Sequence, residues 1–276
     1  MSWRPLKAFD RARLSPARVQ AHFAAQWLAR VARAYVPARP DDGHTNFGWD
    51  DRFGGFTTHA LPSGARLGLK VADLRLVFFD ATGEIADPLA LDGRRDADAR
   101  AWLGRHAAAN GYDPATLDAR LPYGMPAHPI AAGGAYAAAD ASDMLADLAA
   151  WFSNADALLA ETRRKLVERK LNVPPVRCWP HHFDLDTLVT LAPGRTMGVG
   201  FCPGDGHYDE PYFYVSLYPG PAIAALPRLP AIGHWHAKDF TAAIGTASLI
   251  VEARDQKTET EAFLHAAVEA AINTLG

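Results

Sequence analysis

The stretch from His181 to Tyr218, "HHFDLDTLVTLAPGRTMGVGFCPGDGHYDEPYFYVSLY", decides the fold. It reads as three strands, "HFDLDTLVTL", "MGVGFC" and "PYFYVSLY", joined by the turn "APG" and the loop "PGDGHYDEP". Successive strand side chains point to opposite faces. The first strand therefore sorts into Phe183, Leu185, Thr187, Val189 and Leu191 against His182, Asp184 and Asp186. The second sorts into Met197, Val199 and Phe201 against Gly198 and Gly200, and the third into Phe213, Val215 and Leu217 against Tyr212, Tyr214, Ser216 and Tyr218. A buried face fixes register, so the apolar sets are expected to share one face and the acids, glycines and tyrosines the other. That match needs an odd number of residues in the turn, for example three with Gly194 left-handed. An even loop would instead set Asp184 and Asp186 beside Met197 and Phe201.

Glycines leave floor space on a sheet. Over that floor Asp184, Asp186, Glu210, Tyr212 and Tyr214 are expected to hold a small polar molecule by hydrogen bonds. The loop is expected to overhang one end and bring Asp205, His207 and Glu210 near His181 and His182. Such oxygen and imidazole donors suit zinc, manganese or iron. The alternative is thus a metal-dependent hydrolase, with His182, Asp184, His207 and Glu210 holding a divalent ion that activates water. A third reading is a non-enzymatic structural or interaction protein. Asp184 and Asp186 would then accept hydrogen bonds from loop amides, the tyrosines would form a ladder against the longest helix, and Gly-Asp-Gly would be turn chemistry alone.

Two further polar segments stand out. "GHWHAKD" places His234 and His236 on one strand face with Trp235 opposite, and "DDGHTNFGWDD", Asp41 to Asp51, is a polar loop long enough to be functional. The chain has no G-x-S-x-G elbow, Walker loop or dinucleotide fingerprint, and beyond the divalent ion of the hydrolase reading the cofactor stays open.

Outward from the three strands, Ser15-Pro16 reads as the start of a helix carrying Val19, Phe23, Trp27, Val31 and Tyr35 every fourth residue, ended by Pro37 and Pro40. A loop over 38–55 leads to the strand-like runs "FTTHAL", "RLGLKV" and "LRLVFFD", and a second helix is expected over 96–109. Residues 111–138, rich in Ala, Gly and Pro, read as a connection. The longest helix is expected over 140–171, with Met144, Leu148, Trp151, Ala155, Leu158, Thr162 and Leu166 along one side. Acids stand near its start, and the basic run "RRKLVERK" near its end complements the helix dipole. The segment "HWHAKDFTAAIGTASLIVEA" and a last helix over 258–275 complete the chain.

The expected fold is α+β, antiparallel strands covered by long helices, built from two helix-strands-helix halves, 1–138 and 139–276, that also fit one domain. Leu61, Gly64, Leu67, Gly68, Leu69 and Val71 can be laid over Leu191, Gly194, Met197, Gly198, Val199 and Phe201, as related halves or shared hairpin grammar would give. A length of 276 residues and a 49% hydrophobic content allow a sizeable core. A formal charge of −3 argues against a nucleic-acid partner, which needs clustered positive charge. No stretch has a signal peptide's apolar core or the run of a spanning helix, so no membrane partner and a cytoplasmic location are expected; oligomeric state stays open. Cys178 and Cys202, without C-x-x-C spacing, read as two reduced thiols.

The pieces "GFTTHALPSG", "FDL", "GFCPG" and "DEPYFYVSLYP" resemble a family of uncharacterised bacterial proteins grouped as a domain of unknown function. With the helix before each half they span most of the chain, and Asp184 and Glu210 fall inside them. The resemblance implies these segment boundaries and brings no activity, cofactor or catalytic residue.

Overall fold

The computed structural model describes residues 3–276. Among them the fold is α+β, with five α-helices and eleven strands that pair antiparallel. The chain divides into two compact units. A six-stranded unit comprises residues 10–149 and 178–183, and a five-stranded unit residues 3–9, 150–177 and 184–276. The division expected at 138/139 is therefore displaced, because the supposed connection is tied back into the six-stranded unit. Gly93 N donates to Tyr136 O at 2.9 Å, Tyr136 N donates to Arg94 O at 2.8 Å, and Arg100 forks onto Asp118 at 2.6 and 2.8 Å. Its prolines serve two 3-10 turns, Pro114–Asp118 and Pro129–Ala132.

In the six-stranded unit α1 (Arg11–Tyr35) begins at Asp10, whose carboxylate accepts from Ala12 N, so the helix starts ahead of the Ser15-Pro16 signal and carries Pro16 inside it. Strands β1 (Phe47–Asp50), β2 (Gly55–Thr58), β3 (Arg66–Lys70), β4 (Arg75–Phe79) and β5 (Ile85–Ala90) follow as a meander. Cys178 of β6 (Arg177–Trp179) pairs with Phe47 on the outer side of β1. Strand β1 lies in the segment read as polar loop. Its two aromatic residues pack edge-on against Phe56 of β2, Phe47 at 5.2 Å and Trp49 at 5.1 Å, and such cross-strand pairs hold a short strand.

The next helix, α2 (Asp96–Ala109), forms where expected. Asp96 Oδ1 accepts from the Trp27 indole at 3.1 Å and the Tyr136 hydroxyl at 2.9 Å, and both rings are buried. Replacing it strands two buried donors. Asp96→Ala is expected to lower stability by about 3 kcal/mol in urea unfolding, and Asp96→Asn, which keeps an acceptor, to recover most of that. Equal losses in the two variants would contradict this account.

Helix α3 (Ser142–Glu168) crosses between units at Ala149/Ala150 and buries the expected stripe, apart from a half-buried Thr162 that donates to Leu158 O. The five-stranded unit orders its strands β7 (Asp184–Ala192), β8 (Arg195–Cys202), β9 (Tyr212–Tyr218), β11 (Thr241–Thr246) and β10 (Gly233–His236). Helices α4 (Ala247–Glu252) and α5 (Gln256–Leu275) end the chain, the latter capped by Asp255. Register follows the alternation: Leu185, Thr187 and Val189 face Phe201, Val199 and Met197, which in turn face Phe213, Val215 and Leu217. This face is the core, with Trp151 and Phe152 of α3 against Phe201 and α5 packed on β7, β8, β9 and β11. The odd residue comes from a bulge beside a two-residue turn, since Thr190 pairs with Thr196 and Ala192 with Arg195 around Pro193-Gly194. Gly194 has φ of 73°, the left-handed conformation that such a turn takes from glycine.

The alternation stops at Phe183. Its φ of 60° and the bonds from His182 N and Phe183 N to Trp179 O close a turn, so His182 and Phe183 precede the strand and belong to the six-stranded unit. The sequence likeness between halves has a counterpart in two antiparallel meanders, β2–β3–β4 and β7–β8–β9, whose middle strands carry Gly68 and Gly198 at their centres. No described helix is long and apolar enough to cross a membrane.

Candidate functional site

The second face of the five-stranded sheet gathers the acids, glycines and tyrosines as alternation requires: Asp186 faces Gly200, which faces Tyr214. The floor, however, is covered. A Cβ on Gly200 would stand 2.4 Å from Tyr214 Cζ and 2.7 Å from Asp186 Cβ, so the phenol ring lies directly over the glycine. Its hydroxyl donates to Asp184 Oδ2 at 2.7 Å, with Asp186 Oδ2 at 3.4 Å. Burial first, then these two carboxylates, push the Tyr214 phenol well up, so it stays a donor. The bare hollow expected there is thus filled by the tyrosine itself.

Beside it the Tyr212 hydroxyl donates to Asp205 Oδ2 at 2.8 Å, and Asp205 Oδ1 accepts from the amides of His207 and Tyr208. Gly-Asp-Gly is therefore turn chemistry, as one reading expected. The tyrosines do form a ladder, Tyr208 to Tyr212 at 5.1 Å and Tyr212 to Tyr214 at 6.1 Å, but on the face opposite the core contact with α3. Glu210, buried, turns to the start of α4, where Oε2 accepts from Ser248 N at 2.6 Å and from the Ser248 hydroxyl.

Among the described residues no group of three or more His, Cys, Asp or Glu is placed to hold a metal ion. The set His182, Asp184, His207 and Glu210 does not assemble: Asp184 and Glu210 are engaged by Tyr214 and Ser248, and the left-handed Phe183 takes His182 out of the strand that carries Asp184. The alternation that seemed to align His182 with Asp184 ends one residue too early.

The six-stranded unit contains a cavity of about 210 Å³ lined by Arg33, Asp41, Asp42, Tyr123, Trp179 and His181, with Ala29 and Pro180 also on its wall. Helix α1 sets its geometry. Gln26 Nε2 donates to Pro180 O at 2.9 Å while Gln26 Oε1 accepts the Tyr123 hydroxyl at 2.8 Å, so one buried amide fixes two walls. His22 Nε2 donates to the same Pro180 carbonyl at 2.8 Å, and Arg30 holds Ala119 O at 3.1 Å ahead of Tyr123. The third wall is a tight turn, in which Asp41 accepts from Gly43 N and Thr45 donates twice to Asp42 O. Burial, then His182, lowers the His181 pKa, which keeps its ring neutral at pH 7. At the mouth Arg33 and Asp42 stand 3.9 Å apart and both are partly solvated, an ion pair that contributes little.

Compared with known proteins, the chain matches no family model, no curated protein and no solved structure. The predicted pocket residues thus divide: Asp184, Asp186 and Tyr214 come together and fill their own space, Tyr212 joins Asp205, and Glu210 caps a helix. None of them lines the cavity. Of the cavity's residues, the polar loop starting at Asp41 and His181 were visible in sequence. Gln26, Arg33 and Tyr123 carried no signal, because only the packing of distant segments onto α1 gives them a common target.

Proposed function

We propose that this protein binds a small zwitterion of amino-acid size in the cavity of the six-stranded unit. The observation that carries this reading is the lining: opposite charges, Arg33 against Asp41 and Asp42, over neutral aromatic walls, Tyr123, Trp179 and His181. A cavity of about 210 Å³ leaves room for a molecule of amino-acid size. The Arg33–Asp42 pair, weak in the free protein, exchanges for two ion pairs with a ligand that carries both charges. The indole and phenol faces favour the ammonium end.

Melting curves with a panel of free L-amino acids test this. At a ligand concentration of about 100 times Kd, binding adds roughly 2.7 kcal/mol and raises Tm by roughly 5 °C or more. Arg33→Ala and Asp42→Asn are each expected to abolish the rise, and N-acetylated or amidated analogues, which lack one charge, to produce none. A panel without effect, or a rise that survives Arg33→Ala, overturns the reading.

A further inference from the structure

A second constellation lies in the five-stranded unit, independent of the zwitterion cavity. The Tyr208 hydroxyl is 2.9 Å from His236 Nδ1 and 2.9 Å from His234 Nε2, while His236 Nε2 is 2.6 Å from Lys238 O. The proton positions follow from what each atom can do. A carbonyl only accepts, so His236 carries its hydrogen on Nε2, and its Nδ1 in the neutral ring is an acceptor. Tyr208 therefore donates to His236, and the phenol oxygen accepts from His234 Nε2. The sequence supplies the geometry: two histidines two residues apart on β10 face the same way, and the Asp205 turn presents Tyr208 between them. Phe240 stacks on His236 at 4.4 Å and His207 lies 5.8 Å from it, which holds the imidazole in place. Tyr208 and His236 are half-buried and His234 is exposed, so the site is open to solvent.

We propose that Tyr208 is a nucleophile activated by His236 as general base, with the Lys238 carbonyl as orienting group, and that its substrates are small neutral acyl donors. A hydroxyl within hydrogen-bond reach of a base that is itself oriented by a third group is the arrangement that makes a weak nucleophile reactive. Asp205, bonded to the Tyr208 amide, and Asp209, next to Tyr208 in the chain, disfavour phosphoryl anions, which leaves uncharged esters as the donor class. In the step, a phenol oxygen lone pair forms the bond to the acyl carbon and the phenolic proton passes to His236 Nδ1. The ester C–O bond breaks, the alkoxide leaves with the electron pair, and the proton on His236 passes to it, which releases the alcohol and restores the neutral imidazole.

p-Nitrophenyl acetate is the probe, with nitrophenolate release followed by absorbance and the acetylated residues mapped by mass spectrometry. Tyr218 is the internal control, since it is 68% exposed and pairs with Thr196 on β8. General-base assistance contributes roughly 10²–10⁴-fold. Tyr208 is expected to acetylate at least tenfold faster than Tyr218, and His236→Gln to bring it down to the Tyr218 rate while Tyr218 is unchanged. Tyr208→Phe is expected to remove the fast phase of release. Tyr208 labelling no faster than Tyr218, or rapid labelling that survives His236→Gln, overturns the proposal.

Discussion

Acidification from pH 6.5 to pH 4 is expected to cost the fold about 3 kcal/mol through His22 alone. The ring is mostly buried on α1, stacked on Phe183 at 5.2 Å and 5° and bonded to Pro180 O. Burial lowers its pKa from 6.5 to about 4; the Pro180 hydrogen bond opposes that shift, while His182, Arg18 and His181 add to it. With the folded value depressed, the unfolded chain binds the extra proton first. The contribution is complete above about pH 6.5 and disappears as pH falls toward 4. Carboxylates also titrate near the lower end, so the comparison is with His22→Gln, which keeps an N–H donor and does not ionise. Urea unfolding across this window is expected to show a shallower pH dependence in the variant by up to one proton. Identical slopes would show that His22 is not held neutral by the fold.

Gly200→Ala is expected to destabilise by about 4 kcal/mol, combining overpacking of roughly 1–3 kcal/mol with a weakened bond to a charged carboxylate. The new methyl would occupy the place of the Tyr214 ring and press on Asp186 Cβ, both well inside contact distance. Displacing the ring breaks the hydroxyl bond to Asp184. Tyr214→Phe, which removes only that hydroxyl, is expected to cost about 2 kcal/mol. In a Tyr214→Ala background the same Gly200→Ala change is expected to cost about half as much, because the ring clash has gone while the approach to Asp186 Cβ remains. A near-neutral Gly200→Ala in the otherwise unaltered protein would mean that the ring does not sit where the glycine admits it.

These two positions mark where sequence reading succeeded and where it stopped. Alternation along "DLDTLVTL" and "PYFYVSLY" was enough to place Leu185 opposite Phe201 and to gather Asp186, Gly200 and Tyr214 on one face. A residue's face follows from local geometry with period two, which the string of letters contains. What fills the space above a glycine does not. Whether a strand glycine leaves a hollow or admits a neighbour's ring depends on the rotamer of Tyr214 and the reach of its hydroxyl to Asp184. The same limit hid the left-handed Phe183, where one φ angle removed His182 from the strand. Strand β1 was lost inside a polar loop because four residues carry too short a period to register. Helix α2 and the long α3 were legible because their periodicity runs over several turns. The cavity was the least legible feature, since its walls come from segments centred on Arg33, Asp41, Tyr123 and Trp179 that no local pattern connects.

The location of a bound ligand is the direct test, read from a heteronuclear NMR titration with the free amino acid that most raises Tm. Saturable shifts are expected at the Trp179 indole and the backbone amides of 41–45, with the amides of Gly198, Gly200 and Tyr214 left in place. Shifts confined to β7, β8 and β9 would put the ligand on the glycine floor after all and contradict the assignment to the six-stranded unit.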